Sequence, residues 1–336
     1  MIWLPDSTVE HLVAVAGWPE FSSDRYEVTE EIGRGGMGTV YAALDHALGR
    51  EVAIKIGNAL PSTELQARLT REARVIARLE HPGIVPVHDV GLLADGRPFY
   101  VMKRVHGRTL QAYLEQAPPL AERLRIFERV CEAVSFAHAH EIIHRDLKPQ
   151  NVMVGEFGEV MVMDWGVARL LDDLVEPSPG STRGVRPDEH PPATHAGTVL
   201  GTPGFMAPEQ AAATGPIDRR ADVYALGAML FTLLTDRQPP ADAVAASQEL
   251  SRATSVEAPL KSICRCALAA APADRYPSVE RLADDVARFR EGLSVSVHPE
   301  GPIAHARRFV RTYRTPILLV LAYIVMRALI ALFARA

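Results

Sequence analysis

The spacing of apolar residues predicts two long helices in the first half of the chain. One stripe at near-helical spacing consists of Leu65, Leu69, Val75, Ile76 and Leu79. A second stripe, within Leu120–Ala139, consists of Leu124, Phe127, Cys131, Val134 and Ala137. Because residues three and four apart share one face of a helix, each stripe predicts a helix with one side buried in a core.

Short strand-like runs separated by turns begin at Tyr26 and continue to Met102. Val52–Ile56 is apolar and partly β-branched apart from Lys55, and Thr39–Leu44 directly follows a glycine-rich segment. Such runs favour strands. The first third of the chain therefore predicts a sheet with one helix.

The last apolar run, Ile317–Ala334, is interrupted by Arg327 and just reaches the length of about 18 residues at which a helix can cross a bilayer. Arginines are concentrated before it, at Arg307, Arg308, Arg311 and Arg314. This asymmetry predicts a single-pass protein of the cell inner membrane with its N-terminal bulk in the cytoplasm. The alternative is an amphipathic helix on the membrane or against a partner, because Arg327 costs roughly 2.5–3.5 kcal/mol to insert.

Size and composition narrow the class of protein. A chain of 336 residues exceeds the size at which one core keeps growing, so two lobes are expected. A net charge of −5 gives no basic footprint for nucleic acid, and no nucleic-acid partner is expected. Cys131, Cys264 and Cys266 fit neither a disulfide framework nor a zinc site and are interpreted as small buried residues.

The segment Ile32–Val40 has the pattern G-x-G-x-x-G-x-V, in which glycines allow the backbone to approach phosphates closely. In a dinucleotide-binding fold this pattern would open a helix. The strand-like residues after it favour a phosphate clamp between two strands instead. Lys55 is then a ligand of the α- and β-phosphates, and Glu72 is its expected ion-pair partner, since Glu64 and Glu80 lie about two helical turns away.

The run from His144 to Asn151 carries the chemistry, together with Asp164-Trp165-Gly166. Asp146 can accept a hydroxyl proton, and Lys148 can neutralise charge on a transferring phosphate. Asn151 and Asp164 offer the oxygen ligands that Mg²⁺ prefers. These residues have the order and spacing of the catalytic and metal loops of phosphoryl transfer.

Together these motifs resemble those of bacterial eukaryotic-like (Hanks-type) serine/threonine protein kinases, over roughly Tyr26 to Gly292. The resemblance implies an α+β, bilobal protein-kinase fold with an antiparallel N-lobe sheet, one N-lobe helix and a mainly helical C-lobe, here followed by the predicted transmembrane helix. The expected units are an N-terminal extension 1–25, a kinase domain 26–292 (N-lobe 26–102, hinge 103–106, C-lobe 107–292), a basic juxtamembrane linker 293–316 and the helix 317–334.

The resemblance also implies ATP and Mg²⁺ as cofactors and assigns the site residues. Asp146 and Lys148 are catalytic, and Asn151 and Asp164 bind the metal. The expected ATP-binding residues are Ile32, Gly33, Arg34, Gly35, Gly36, Met37, Gly38, Thr39, Val40, Ala53, Lys55, Glu72, Met102, Val105 and Met153. Among these, Val40 and Ala53 form the ceiling of the adenine pocket, Met153 forms its floor and Met102 is the gatekeeper before the hinge.

Regulation and partners follow from the same resemblance. Thr198 stands where the family carries its activating phosphothreonine, and Thr194 is a second candidate. Phosphorylation in trans would need a transient homodimer of the chain. The other expected partners are protein substrates. Lys148 with Thr202 is typical of serine/threonine specificity. Glu209 is expected to pair with Arg275, and Asp222 to hold the catalytic loop. The alternative, a pseudokinase scaffold, usually lacks one of Lys55, Asp146 or Asp164, and all three are present.

Overall fold

The structure, a computed structural model, describes residues 18–21, 24–35, 38–57, 63–165, 169–170, 204–212 and 217–299, with the helical positions 318–320, 322–324 and 326–327. The side chains of residues 63–68, 71 and 169–170 lie outside this description. Ser7 and Glu10 form a capping-box pattern that predicts a short helix through about Ala16, and this segment also lies outside the described residues.

Five antiparallel strands and one helix form the first part of the fold. The strands are β1 Tyr26–Arg34, β2 Gly38–Asp45, β3 Arg50–Gly57, β4 Val87–Leu92 and β5 Pro98–Lys103. Their order in the sheet is β1-β2-β3-β5-β4. Helix α1, Thr63–Ile76, contacts β3, β4 and β5. The predicted N-lobe of sheet and single helix is confirmed.

The two faces of this sheet have different roles, because side chains alternate along a strand. On β3, Val52, Ile54 and Ile56 are buried in a small core that includes Tyr26 and Tyr41. Trp18 and Phe21, from the segment before β1, pack against the same core. The opposite face of β3 carries Ala53 and Lys55, and it faces the site described below.

The second part of the fold is mainly helical. It contains β6 Gly107–Thr109, α2 Leu110–Leu114, α3 Leu120–Ala139, β7 Ile142–Ile143, β8 Val152–Gly155, β9 Val160–Val162, β10 Arg169–Leu170, α4 Pro208–Ala211, α5 Arg220–Thr235, α6 Ala243–Arg252, α7 Ala258–Ala267 and α8 Val279–Arg290, with 3₁₀ turns at Pro149–Asn151 and Pro272–Asp274. Strand β8 pairs with β6 and β9, and β7 pairs with β10.

Helix α5 is the centre of this lobe. Its residues 221–234 are all buried, as expected for a helix that is apolar all round. It contacts α3, α7 and α8. Gly227 allows the close approach of α7, since a Cβ at that position would lie 2.7 Å from the Cβ of Ala267.

The second predicted helix is confirmed with the same bounds, Leu120–Ala139, and its five stripe residues are buried. Helix α1 ends at Ile76, slightly before the end of the predicted stripe at Leu79. Cys131 and Cys264 are buried as expected, whereas Cys266 is only partly buried.

The placement of the protein as a single-pass inner-membrane protein was wrong, and the transmembrane helix predicted at 317–334 is not supported. In the described part of the chain, no helix has the length and apolar character needed to cross a bilayer. A span requires about 20 consecutive helical residues, because the hydrocarbon core is about 30 Å thick.

Candidate active site

A buried ion pair joins the sheet to α1 and reaches the second lobe. The ammonium of Lys55 lies 2.9 Å from Oε1 of Glu72 and 2.8 Å from Oδ1 of Asp164. The hydroxyl of Tyr100 donates to the same Glu72 oxygen at 2.8 Å. The expected Lys55–Glu72 pair is therefore present, and Lys55 also contacts a residue expected to bind metal.

The charges in this cluster stabilise one another. Burial alone would lower the pKa of Lys55, but Tyr100, Glu72 and Asp164 raise it above its ordinary value. Burial opposes ionisation of Asp164, yet Lys55, His144 and Lys148 hold the pKa of that carboxyl below its usual range. At neutral pH the site thus presents an ammonium and a carboxylate, and the Asp164 side chain is 44% exposed.

The side chains of Asp146, Lys148 and Asn151 meet around the 3₁₀ turn Pro149–Asn151, with Lys148 directly before it and Asn151 at its end. Oδ2 of Asp146 accepts from Nζ of Lys148 at 2.8 Å and from Nδ2 of Asn151 at 3.1 Å. Nδ2 of Asn151 also donates to the backbone oxygen of Asp146 at 2.8 Å. The backbone oxygen of Asn151 accepts from the amide of Met163, which directly precedes Asp164. These bonds join the two predicted loops.

Asp222, at the start of α5, holds the backbone before Asp146 in place. Its fully buried carboxylate accepts from the amide of His144 at 2.9 Å and from the amide of Arg145 at 2.8 Å. Nε2 of His138 lies 2.8 Å from Oδ2 of the same carboxylate. Burial opposes the charge, but His138, His144 and the Arg145 amide lower the pKa of Asp222. The expected structural role of Asp222 is confirmed.

His144 is fully buried and serves packing and orientation. Its Nδ1 accepts from the amide of Asp146 at 3.3 Å, so Nε2 carries the proton and donates to the backbone oxygen of Met163 at 3.0 Å. Its ring lies 4.5 Å from the ring of the buried Trp165. These contacts give His144 a packing and orienting role and no part in proton transfer.

The glycine-rich turn connects β1 to β2. Gly33 pairs with Val40 and Arg34 with Thr39, and the amide of Gly35 donates to the oxygen of Gly38 at 2.9 Å. A Cβ at Gly38 would lie 2.4 Å from the backbone oxygen of Ile56, so only glycine fits. Gly36 and Met37 lie outside the described residues.

The residues expected around adenine are arranged on both sides of the hinge. Val40 is paired with Lys55, and Ala53 with Met102, so these four side chains share one sheet face. Met153 lies on β8 of the second lobe. The partly exposed apolar members of this set are Val40, Met102, Val105 and Met153. Partly exposed apolar side chains on facing elements suit a flat, apolar ligand.

A second predicted ion pair stabilises the C-lobe. Arg275, whose side chain is 0% exposed, donates to both oxygens of Glu209 at 2.7 Å. It also donates to the backbone oxygens of Ala269, Ala270 and Arg220. Thr194, Thr198 and Thr202 lie outside the described residues.

Comparison with known proteins agrees with this geometry. The protein kinase domain family matches residues 26–289, which is most of the chain. The chain belongs to the protein kinase family.

The chain is 35% identical over 301 residues to serine/threonine-protein kinase PknD of Chlamydia felis, covering 80% of this chain and 31% of that relative. It is 36% identical over 307 residues to a probable serine/threonine-protein kinase of Corynebacterium efficiens, covering 83% of this chain and 44% of that relative. It is 35% identical over 302 residues to serine/threonine-protein kinase PknB of Mycolicibacterium smegmatis, covering 84% and 45%. The chain therefore spans a third to a half of the length of these relatives.

Two contributors to the candidate site were not predicted from the sequence. The Tyr100 hydroxyl orients Glu72, and burial raises the pKa of Tyr100 so that this hydroxyl stays protonated. Gln210 on α4 donates to the backbone oxygen of Arg145, next to the catalytic aspartate of the family. The only available signal for Tyr100 was its place in a strand, and its position opposite Lys55 follows from a register that the sequence does not reveal.

Two cavities of this kinase domain lie apart from the site. One, of about 610 Å³, lies behind the hinge and is lined by residues that include Ile76, Val87 and Lys103. The other, of about 710 Å³, lies beside α6 and includes Arg237 and Glu249. Neither is lined by Asp146, Asn151 or Asp164, so the convergence of these side chains locates the chemistry better than cavity size does.

Proposed function

We propose that this chain is an ATP- and Mg²⁺-dependent protein kinase that transfers the γ-phosphate of ATP to serine and threonine hydroxyls of protein substrates. The observation that carries the proposal is the convergence of Asp146, Lys148 and Asn151 on one side with Lys55 and Asp164 on the other. These are the groups that phosphoryl transfer needs, held by bonds of 2.8–3.1 Å.

Asp146 is the proposed base. Both of its side-chain contacts above use Oδ2, so we assign Oδ1 to the substrate hydroxyl. The carboxylate takes the hydroxyl proton as the substrate oxygen bonds to the γ-phosphorus, and the bond from that phosphorus to the β–γ bridging oxygen breaks to release ADP. Lys148, next to Asp146, neutralises negative charge on the transferring group.

Asn151 and Asp164 fit a magnesium site. The side-chain nitrogen of Asn151 donates to Asp146, which leaves the side-chain oxygen of Asn151 for the metal. One carboxylate oxygen of Asp164 contacts Lys55, and the Asp164 side chain is half-exposed. In the described residues no group of three or more His, Cys, Asp or Glu could hold a metal. Mg²⁺ needs only one or two carboxylates plus substrate phosphates. When bound, Mg²⁺ supplies charge neutralisation at the phosphate oxygens.

The glycine-rich turn, Lys55 and the apolar face around Ala53 are the proposed ATP-binding surface, with the hinge at 103–106. Lys55 contacts phosphate oxygens, and Glu72 fixes its position. We keep 26–292 as the proposed kinase domain, with 1–25 and 293–316 as flanking segments.

The direct test compares wild type with Asp146→Asn, which is nearly isosteric but cannot take the proton. With labelled ATP and Mg²⁺, we expect wild type to label itself and a generic protein substrate on serine and threonine. Asp146→Asn should lose this labelling by at least a hundredfold and keep nucleotide binding. A wild-type chain that binds nucleotide but transfers no phosphate would instead support the pseudokinase scaffold.

We also propose that the kinase is activated by phosphorylation of Thr198 in trans, with Thr194 as the secondary position and a transient homodimer as the reacting pair. The support is the place of Thr198 in the family pattern. Mixing wild type with the inactive Asp146→Asn chain tests this by phosphosite mapping. Phosphate on Thr198 of the inactive chain is expected, and its absence there at every protein concentration would contradict transfer in trans.

A further inference from the structure

A cluster of charged side chains joins the hinge to the N-lobe sheet. The guanidinium of Arg104 lies 2.7 Å from Oε1 of Glu30 on β1 and 3.5 Å from Oε2 of Glu51 on β3. Nε2 of His106 lies 2.9 Å from the same oxygen of Glu51. We call Arg104, Glu30, Glu51 and His106 the hinge clasp. Arg104 is its centre, and its side chain is only 21% exposed.

The strand register places the hinge clasp on the nucleotide-binding face of the sheet. Glu30 pairs with Ala42, Ala42 with Ala53, and Ala53 with Met102, so these side chains form one row across that face. Glu51 lies two residues before Ala53 and therefore shares its face. The hinge clasp thus borders the proposed ceiling of the adenine site.

The clasp also connects elements that the sheet keeps apart. Strand β1 is hydrogen-bonded to β2, and β2 and β3 separate it from β5, from which the hinge continues. Arg104 spans these two strands and reaches β1 three residues before Gly33. The backbone oxygen of His106 in turn accepts from the amide of Glu156 in the lower lobe at 3.2 Å. These contacts therefore connect the strand that leads into the glycine-rich turn, through the hinge, to the C-lobe.

From this arrangement we infer that Arg104 is a positioning residue for nucleotide. By holding β1 at a fixed distance from the hinge, it sets the opening of the site and keeps the glycine-rich turn in register over the nucleotide. Arg104 acts through Glu30 and β1 rather than on the reacting atoms. The inference rests on the proposed nucleotide-binding function and specifies what sets its affinity.

The test measures both the Kd for Mg-ADP, by calorimetry, and the KM and kcat for ATP. Arg104→Gln removes the charge and keeps most of the length of the side chain. We expect Kd and KM to rise about fivefold, the equivalent of ~1 kcal/mol for a partly exposed charge network, with kcat within about twofold of wild type. The difference between wild type and variant should shrink in 1 M salt, because exposed charge pairs are screened.

Glu30→Gln and the double variant test whether the two residues act as a pair. If they do, the double variant binds Mg-ADP no more weakly than Arg104→Gln, because the same contact is removed in each. Arg97→Gln is the matched control: Arg97 forms a 2.7 Å pair with Asp95 between β4 and β5, away from the nucleotide face. This variant should bind like wild type.

An unchanged or tighter Kd for Arg104→Gln would overturn the inference, as would effects of the two single variants that simply add. A fall in kcat together with a lowered melting temperature would also overturn it, since that pattern indicates general destabilisation. Failure of the proposed function looks different: wild type would transfer no phosphate, and the calorimetric comparison of Mg-ADP affinity would still decide the role of Arg104.

Discussion

Three aspartates near the site have different roles because their surroundings differ. Asp146 and Asp164 are partly exposed and reach the space where a phosphate can lie, whereas Asp222 is fully buried beneath the catalytic loop. Asp222 accepts two backbone amides, one on each carboxylate oxygen. Its charge therefore orders the loop that carries Asp146 and takes no part in proton transfer.

We predict that Asp222→Asn destabilises the protein by about 2 kcal/mol, because an amide has one acceptor oxygen and leaves one buried N–H unpaired. Thermal denaturation measures the loss, and kcat should fall with it because the catalytic loop loses its support. Asp218→Asn, at an exposed position before α5, is the control and should be close to neutral.

The same residue predicts a pH dependence. The folded pKa of Asp222 lies below its unfolded value, so its contribution is fully present above the unfolded pKa of about 3.9 and is lost as the pH falls through the lower folded pKa. Wild type should therefore lose stability steeply in acid below about pH 4. Asp222→Asn should show a shallower acid slope, and an identical slope in both proteins would contradict this assignment.

At the scale of elements, the ion pair between Glu209 on α4 and Arg275 stabilises the C-lobe. We predict that Glu209→Gln lowers the free energy of unfolding by about 3 kcal/mol, because Arg275 keeps a buried charge without its carboxylate. Chemical denaturation measures this loss. Glu249→Gln breaks the exposed pair with Arg237 and should cost less than about 1 kcal/mol. Equal losses of stability in the two variants would show that burial does not determine how much the Glu209–Arg275 pair contributes.

A second prediction at this scale concerns the contact between β2 and β3. Gly38→Ala would place a methyl group 2.4 Å from the backbone oxygen of Ile56, so the strands must separate at the glycine-rich turn. We expect a rise in KM for ATP of tenfold or more, with a drop of about 1–3 kcal/mol in stability. Gly49→Ala, at a site with open space but a left-handed φ of 62°, should destabilise the protein without changing KM.

Elements with a strong local pattern could be predicted from the sequence, and pairings between distant segments could not. The helix Leu120–Ala139 follows from one apolar stripe, and the catalytic side chains follow from a motif contained within eight residues. The position of Tyr100 opposite Lys55 and the reach of Arg104 to Glu30 depend on strand order and register. The single-pass placement rested on the apolar composition of 317–334 alone, and in the described part of the chain no helix is long and apolar enough to cross a bilayer.

At the scale of the whole molecule, Lys55 connects the two lobes, because it pairs with Glu72 in the N-lobe and with Asp164 in the C-lobe. Nucleotide and Mg²⁺ are expected to bind between these groups, so binding should stabilise both lobes together. A ligand that binds only the folded state at a hundred times its Kd adds about 2.7 kcal/mol. Mg-ADP should therefore raise the melting temperature of wild type by several degrees.

Two variants test how much of this stabilisation comes from the metal and how much comes from the phosphates. Asp164→Asn should lose the part of the shift that depends on Mg²⁺ and keep most of the shift seen with ADP in a chelator, because it removes a metal ligand while Lys55 keeps its pair with Glu72. Lys55→Met should reduce the shift under both conditions, since it removes a phosphate contact, and it leaves Glu72 without its cation. If Asp164→Asn responded to Mg²⁺ as wild type does, the metal would have to bind elsewhere, and the assignment of Asn151 and Asp164 as its ligands would be wrong.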